Sequence, residues 1–286
     1  FSFLAANGAG ICTSLDGPAS LHDANRLYAG GSSYKKAAYW LKKAPAARGG
    51  KKRDSLPSAL MTTTRLSLGR HKEIVDTYRA LGLGGIFLRP LSPIGYAGSV
   101  WREIGYEPGE YAAFYRSALD YIIGLNLRGE FFVERNAALL ARKALKKEDP
   151  NFLDLRSPCG AATGQLAYNW DGGVYTCDEG RMAGGGQDDF FRLGSVHKNT
   201  YAEIIGAPAA RVCAMASCLE NQPLCARCAW KPWCGVCPVH NYETQGSPWG
   251  NIAAGDWCRI QKGVFAAVFG ALSRPAGRKV IESWLQ

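Results

Sequence analysis

Nine of the ten cysteines lie beyond residue 158, and seven of them, Cys213, Cys218, Cys225, Cys228, Cys234, Cys237 and Cys258, crowd one short stretch. A Cys-x2-Cys pair turns the backbone so that two sulfurs converge on one metal ion or cluster. Two such pairs, Cys225–Cys228 and Cys234–Cys237, follow each other with five residues between them. Upstream, Cys159 is followed by twelve residues, Gly172, four more residues and Cys177. Grouping of this kind points to a local metal or redox site rather than to dispersed core packing.

Four chemistries compete for these thiols. Disulfides suit an even count but not the tight spacing in a reducing compartment. Buried, unliganded thiols leave the spacing unexplained. Structural zinc needs four ligands per site, but paired zinc knuckles usually straddle roughly 15–20 residues. Iron–sulfur chemistry accommodates the pattern best, because eight of the nine downstream cysteines complete two four-thiolate [4Fe–4S] sites. That count leaves out Cys12, expected in a buried strand, and one of Cys213 and Cys218.

The elements that must carry these residues can be read in outline. The run Ala9 to Leu15 reads as a strand closed by the Asp16-Gly17-Pro18 turn, and Ser33 caps a helix to about Ala44, stopped by Pro45 and Gly49-Gly50. Leu60–Thr64 is the next strand, a helix over 70–81 buries Ile74, Val75, Tyr78 and Leu81, and Gly85–Arg89 is a third strand. This alternation predicts βαβ units and a parallel sheet. Ser14, Asp16, Thr64, Arg89 and Leu91 then fall at the carboxyl ends of strands, where such sheets bind ligands.

Beyond Glu107, a helix beginning at Pro108 presents Tyr111, Phe114, Tyr115, Ala118 and Ile122, and a second helix is expected over 131–147. Glu148-Asp149-Pro150 marks a boundary. Residues 165–176 read as a β-hairpin turning at Asp171-Gly172, Gly184–Gly186 as a break, and the tail from about Ile260 to Leu285 as helix interrupted at Pro275. Few helix signals stand between hairpin and tail.

Composition narrows the class. Length 286, 47% hydrophobic and 20% charged residues describe a folded chain with a real core. No basic segment precedes an apolar run at the start, and the longest apolar stretches fall short of the roughly 20 residues of a membrane span, so a cytoplasmic chain is expected. The net charge of +10 bears on association rather than fold, and its densest run, Arg48 to Arg53, reads as a solvated loop. His22, His71, His197 and His240 show no ligand spacing. Trp230, Trp233, Trp249 and Trp257 are expected to shield the cysteine site.

The full pattern, Cys159-x12-Gly172-x4-Cys177, Cys225-x2-Cys228-x5-Cys234-x2-Cys237 and Cys258, resembles the seven-cysteine signature of SPASM domains. These are C-terminal extensions of radical S-adenosylmethionine enzymes that modify peptides and proteins. Thr13–Pro18 with His22–Arg26, Thr64–Leu68 and Phe87–Gly95 resemble successive strand segments of the same enzymes' partial barrel, so the resemblance spans nearly the whole chain. Within the family, Cys218-Leu-Glu and Cys234 to Tyr242 look most like maturases of His-Xaa-Ser peptide systems.

The resemblance implies an α/β fold: the C-terminal half of a partial (β/α)6 TIM-like barrel over 1–107, a helical linker over 108–155 and a SPASM domain over 156–286. It assigns Cys159, Cys177 and Cys237 to a first auxiliary [4Fe–4S] cluster, whose fourth corner is expected to be Cys218 or an open iron, and Cys225, Cys228, Cys234 and Cys258 to a second. Asp178 occupies the position of a proton acceptor beside a cluster ligand. Ser14 and Leu91 match positions beside the cofactor's ribose and adenine, and Arg26 either binds its carboxylate or fixes the Asp16 loop.

Two departures stand out. The Cys-x3-Cys-x2-Cys motif of the cluster that cleaves S-adenosylmethionine is absent from these residues, as is the glycine-rich strand segment that contacts the cofactor's methionine amine. Both are expected upstream of Phe1, which makes the chain a fragment. Cys234-x2-Cys237 is also tighter than the commoner x3 spacing, a turn that Gly235 is expected to absorb. The full enzyme would use a third [4Fe–4S] cluster, a precursor peptide or protein, and an electron donor such as flavodoxin or ferredoxin. Membrane and nucleic acid are not expected partners. The competing expectation is a non-catalytic, zinc-stabilised module that binds nucleic acid or an acidic peptide.

Overall fold

The computed structural model describes Phe3, Asn7 and residues 12–43, 58–150 and 152–285. The predicted strand's first residues, the helix stop at Pro45 and Gly49-Gly50, and the basic run at 48–53 lie outside them. The chain forms two compact units. One comprises residues 1–91, 109–141 and 266–286, and the other residues 92–108 and 142–265.

The first unit is parallel α/β. Strands β1 (Cys12–Ser14) and β2 (Ser58–Thr62) pair in register Cys12 to Ser58 through Ser14 to Leu60. Helices α1 (Ala19–Asn25) and α2 (Ser33–Lys43) lie between them in sequence, followed after β2 by α3 (His71–Ala80). The expected third strand is broken at Phe87 into β3 (Gly85–Ile86) and β4 (Leu88–Arg89). β4 pairs with β2, whereas β3 pairs with β5 (Val133–Glu134), all in parallel. A Cβ on Gly85 would stand 2.7 Å from the Val133 carbonyl oxygen, so this approach requires glycine.

The predicted apolar faces form the core. Ile74, Val75 and Tyr78 of α3 are fully buried, with Leu81 only half-buried. On α4 (Pro108–Leu127), Tyr111, Tyr115, Ala118 and Ile122 are also fully buried. Cys12 is exposed, which corrects the expectation of a core thiol. β1 ends two residues after it, and the buried apolar residue is Leu15, just past the strand.

Residues 131–147 do not form one helix. They open with β5, continue as α5 (Arg135–Ala141) and end in a π-helical turn, Arg142–Lys146. Glu134 makes this junction. Its fully buried carboxylate accepts from the Tyr115 hydroxyl at 2.6 Å, from Ala137 N–H at 2.6 Å and from Leu88 and Asn136 N–H at 3.3 Å. Burial raises its pKa, opposed by those four donors. Glu134→Ala would leave the donors buried without an acceptor, and is expected to cost about 2–4 kcal/mol in denaturant melts. Glu134→Gln should cost clearly less.

The second unit contains an antiparallel sheet of β6 (Ala167–Tyr168), β7 (Gly173–Tyr175) and β8 (Arg192–Ser195). Its hairpin turns at Gly172, whose φ of +80° suits glycine. Much of the rest is short helices, among them α6 (Asp178–Met182), α7 (Pro208–Ser217), α8 (Pro223–Ala226), α9 (Pro238–Gln245) and the start of α10 (Asp256–Leu272). Three of these begin on a proline. Such residues look like helix breakers in sequence but are favoured at the first helical position, which needs no N–H donor. Gly184–Gly186, expected as a break, lies within a 3₁₀ turn. The tail forms α10 and α11 (Pro275–Ser283). Among the described residues no helix is long and apolar enough to cross a membrane.

Candidate metal centres

The second unit gathers eight of its nine cysteines into two groups. In the first, Cys159, Cys177 and Cys213 belong to one buried cluster with Phe191 and Val239, and Cys237 packs against it. Cys177 caps α6, its sulfur accepting from Gly180 N–H at 3.3 Å, and Cys237 caps α9, accepting from His240 N–H at 3.4 Å. Both sulfurs therefore sit where backbone N–H groups favour a thiolate. Gly180 permits this packing, since a Cβ there would meet the Thr176 hydroxyl at 2.6 Å.

Cys225, Cys228, Cys234 and Cys258 line a single cavity that is partly open to solvent. Cys225 lies in α8, Cys228 closes the following turn through an N–H bond to the Cys225 carbonyl at 3.0 Å, and Cys258 lies in the first turn of α10. Trp230, Trp257 and Phe265 supply aromatic walls, and Trp257 Nε1 donates to the Gly235 carbonyl at 3.0 Å. Trp233 meets Trp230 edge-on, whereas Trp249 is 38% exposed and lines no part of the cavity. The expected shield thus excludes Trp249.

The donor set suits a group with thiolate corners. Burial pushes the Cys159 thiol up to about 11 and those of Cys213 and Cys234 to about 12; Cys177, Cys225 and Cys237 also shift upward, chiefly by burial. Proximity of other thiols adds to several of these shifts. Without a cation they stay neutral and poorly nucleophilic, and ligation would release their protons. Among the described residues no three side chains of Cys, His, Asp or Glu meet the spacing for a single ion. A four-iron cluster holds its thiolates at separate corners and does not require that spacing. Gln261, three residues beyond Cys258, lines the cavity with its Oε1 buried and unpartnered. Turned about its last torsion, that amide would offer N–H to a sulfide acceptor.

Cys234 and Cys237 are three residues apart yet belong to different groups, Cys234 to the cavity and Cys237 to the buried cluster. Gly235 between them has no positive φ. It is needed for space instead: a Cβ would stand 2.7 Å from the Arg156 carbonyl oxygen and 2.8 Å from that of Asp154. Cys218 joins neither group. It is half-buried at the end of α7, and its thiol donates to Glu220 Oε2 at 3.4 Å. Thr176 and Gln261 carry no signal of a site in the sequence, and Cys213 stands there only as the alternative to Cys218; Cys213 and Ser217 lie one helical turn apart, a signal of a shared face.

Asp178 opens α6 directly after Cys177, with its side chain 64% exposed and paired to Arg181 at 2.8 Å. His240 is buried beside Cys237, its Nδ1 lying 3.3 Å from Ser92 Oγ, and burial lowers its pKa to about 4. It is a neutral core histidine.

In the first unit, Arg26 forks onto Asp16 at 2.8 and 3.1 Å, and Asp16 also accepts from Thr62 N–H at 3.2 Å. Arg26 thus fixes the loop after β1. Asp16 N–H donates to His22 Nδ1 at 3.1 Å. Ser14 ends β1 half-buried, and Leu91 follows β4 buried.

Residues 159–229 match the model of the SPASM family, an iron–sulfur cluster-binding domain. No curated protein matches the chain in sequence. Among solved structures, native anSMEcpe with bound AdoMet and Kp18Cys peptide aligns at TM-score 0.71 and 19% identity, covering 97% of this chain and 72% of that one. Native anSMEcpe with bound AdoMet and Cp18Cys peptide gives the same values. With bound AdoMet alone it aligns at TM-score 0.71 and 19% identity over 96% of this chain and 70% of that one. The chain therefore shares the fold of anSMEcpe, an anaerobic sulfatase-maturating enzyme, and carries a SPASM segment.

Proposed function

We propose that this chain is the auxiliary-cluster part of a radical S-adenosylmethionine maturase that modifies a peptide or protein. The observation that carries the reading is the division of the thiols into two groups that share one short turn, Cys234 in one and Cys237 in the other. A turn whose two thiols serve different groups suits a pair of clusters, each tying distant segments together, better than two independent knuckles.

In this reading Cys225, Cys228, Cys234 and Cys258 hold one [4Fe–4S] cluster, and Cys159, Cys177 and Cys237 hold the other with a further thiolate. Residues 1–107 form the C-terminal half of a partial (β/α)6 barrel, residues 108–155 a linker and residues 156–286 the SPASM domain. Ser14 and Leu91 lie beside the cofactor, while Arg26 keeps the Asp16 loop in shape for it. Asp178 takes a proton from the substrate. AdoMet and peptide are bound in the anSMEcpe structures, and the same cofactor and a peptide substrate are assigned here by that likeness.

S-adenosylmethionine, cleaved at a third cluster on a Cys-x3-Cys-x2-Cys motif that these residues do not contain, supplies the radical that takes hydrogen from the peptide. These 286 residues alone are therefore not expected to cleave it. The His-Xaa-Ser class of maturase is the narrower assignment, with flavodoxin or ferredoxin as electron donor in the cytoplasm.

Anaerobic reconstitution with iron and sulfide should load about eight irons per chain, with thiolate-to-iron charge-transfer absorption. Uptake of stoichiometric zinc with no such absorption would overturn the reading in favour of a zinc-stabilised binding module. Such a module should bind nucleic acid with steep salt dependence.

A further inference from the structure

Sequence resemblance gives the first cluster three cysteines and leaves its fourth corner to choose between two. We infer that Cys213, rather than Cys218, is the fourth thiolate of the first auxiliary cluster. The inference rests on the cluster reading above and concerns only which side chain completes it.

Cys213 has 0% exposure and shares the buried cluster of Cys159 and Cys177, against which Cys237 packs. A hydroxyl fixes the helix turn that carries it. Ser217 donates to the Cys213 carbonyl at 2.6 Å while accepting from Cys159 N–H at 2.9 Å, which fixes α7 to the backbone of the first ligand.

Helical geometry then separates the two candidates. Cys213 and Ser217 are four residues apart and share a face of α7, whereas Cys218 is five residues from Cys213, roughly 140° further round at 3.6 residues per turn. Cys218 is also the residue at which the helix ends, with φ −69° and ψ 112°, and its thiol is engaged by Glu220. Bringing Cys218 to the first group would require unwinding the end of α7 and breaking the Leu219 N–H bond to Ser157 Oγ at 2.9 Å. Cys213 needs no such change.

An inert core thiol would be equally buried, so the test must separate ligation from packing. Cys213→Val keeps an apolar side chain of similar size, and Cys218→Ala alters a half-buried position that tolerates truncation. Wild type and both variants would be reconstituted anaerobically, and iron per chain measured together with cluster type by EPR and Mössbauer spectroscopy.

Wild type and Cys218→Ala should both hold about eight irons as two four-iron clusters. Cys213→Val should fall to about seven, with a three-iron signal, or to about four if the first cluster is lost entirely. Full iron with an unchanged spectrum in Cys213→Val overturns the inference. So does loss of first-cluster iron from Cys218→Ala, an outcome that does not depend on how Cys213→Val folds. A wild-type chain that takes up no iron overturns the cluster reading itself, whereas a fully loaded wild type with either adverse variant result overturns only the identity of the fourth ligand.

Discussion

Gly235→Ala should reduce reconstituted iron from about eight per chain to four or fewer, although it replaces no ligand. The added Cβ would stand 2.7 Å from the Arg156 carbonyl oxygen, 2.8 Å from the Asp154 carbonyl oxygen and 3.0 Å from the Asp154 carbonyl carbon. All three are backbone atoms, so no rotamer change relieves the clash. Either the turn carrying Cys234 and Cys237 moves out, or the 3₁₀ turn Leu153–Leu155 leading to Cys159 moves away. The first displaces one thiol from each group, and the second displaces Cys159 from its Ser217 contact.

Overpacking of this kind typically costs about 1–3 kcal/mol, too little to unfold a well-formed unit but enough to misplace a ligand. Gly270→Ala is the matched control, because nothing lies within 4 Å of its Cβ position and the residue is inside α10. Alanine there should leave stability unchanged or raise it by up to about 1 kcal/mol. Iron analysis and thermal melts on the two variants separate the effects. Full iron in Gly235→Ala would mean that the two groups do not depend on this close approach.

Gly235 also illustrates what the sequence could and could not say. The shortened spacing between Cys234 and Cys237 drew attention to the glycine, and a tight turn was the local explanation. The actual constraint is the backbone of residues 154–156, some eighty positions earlier, which no local pattern announces. The same limit applies to Cys213. Its partners are distant in sequence, while Cys218 sits closer to the Cys-x2-Cys pairs and looks more like part of the motif.

The fold was legible where one face of an element is buried and periodic. α3, α4 and the hairpin at Gly172 follow from their apolar spacing and turn residues. Residues 131–147 misled because the helical pattern of α5 is continuous with β5. Glu134, polar in sequence, is buried where strand becomes helix because it accepts from the Tyr115 hydroxyl and three backbone N–H groups. β8 went unread because Arg192–Ser195 is short and half-polar, and pairs with β7 across an irregular register. Cys12 was misplaced because a strand two or three residues long does not carry the alternation that decides which side chains face the core.

Asp178→Asn, placed in the enzyme that also carries the S-adenosylmethionine-cleaving cluster, should lower product formation by about 10²–10⁴-fold while leaving cofactor cleavage within about twofold. The carboxylate stands in the residue next to Cys177, a ligand of the first cluster in the proposed reading, and its side chain is 64% exposed. A substrate radical that loses a proton and then an electron needs a base close to an electron acceptor, and in the proposed reading this position would provide both. Asparagine keeps the size and hydrogen-bonding shape of the side chain but cannot accept that proton at neutral pH.

A structural account of Asp178 makes a different prediction. The residue lies in the first turn of α6 and pairs with Arg181 at 2.8 Å, so a purely structural aspartate would contribute a dipole interaction and one surface ion pair. Each is worth no more than about 1 kcal/mol at an exposed position. In that case Asp178→Asn would lower the melting temperature by a few degrees and leave turnover of the loaded enzyme unchanged. Measuring 5′-deoxyadenosine and modified peptide in the same reaction distinguishes the two. Uncoupling, with deoxyadenosine still formed and peptide unmodified, is the result required of a base, and parallel retention of both products would remove Asp178 from the chemistry.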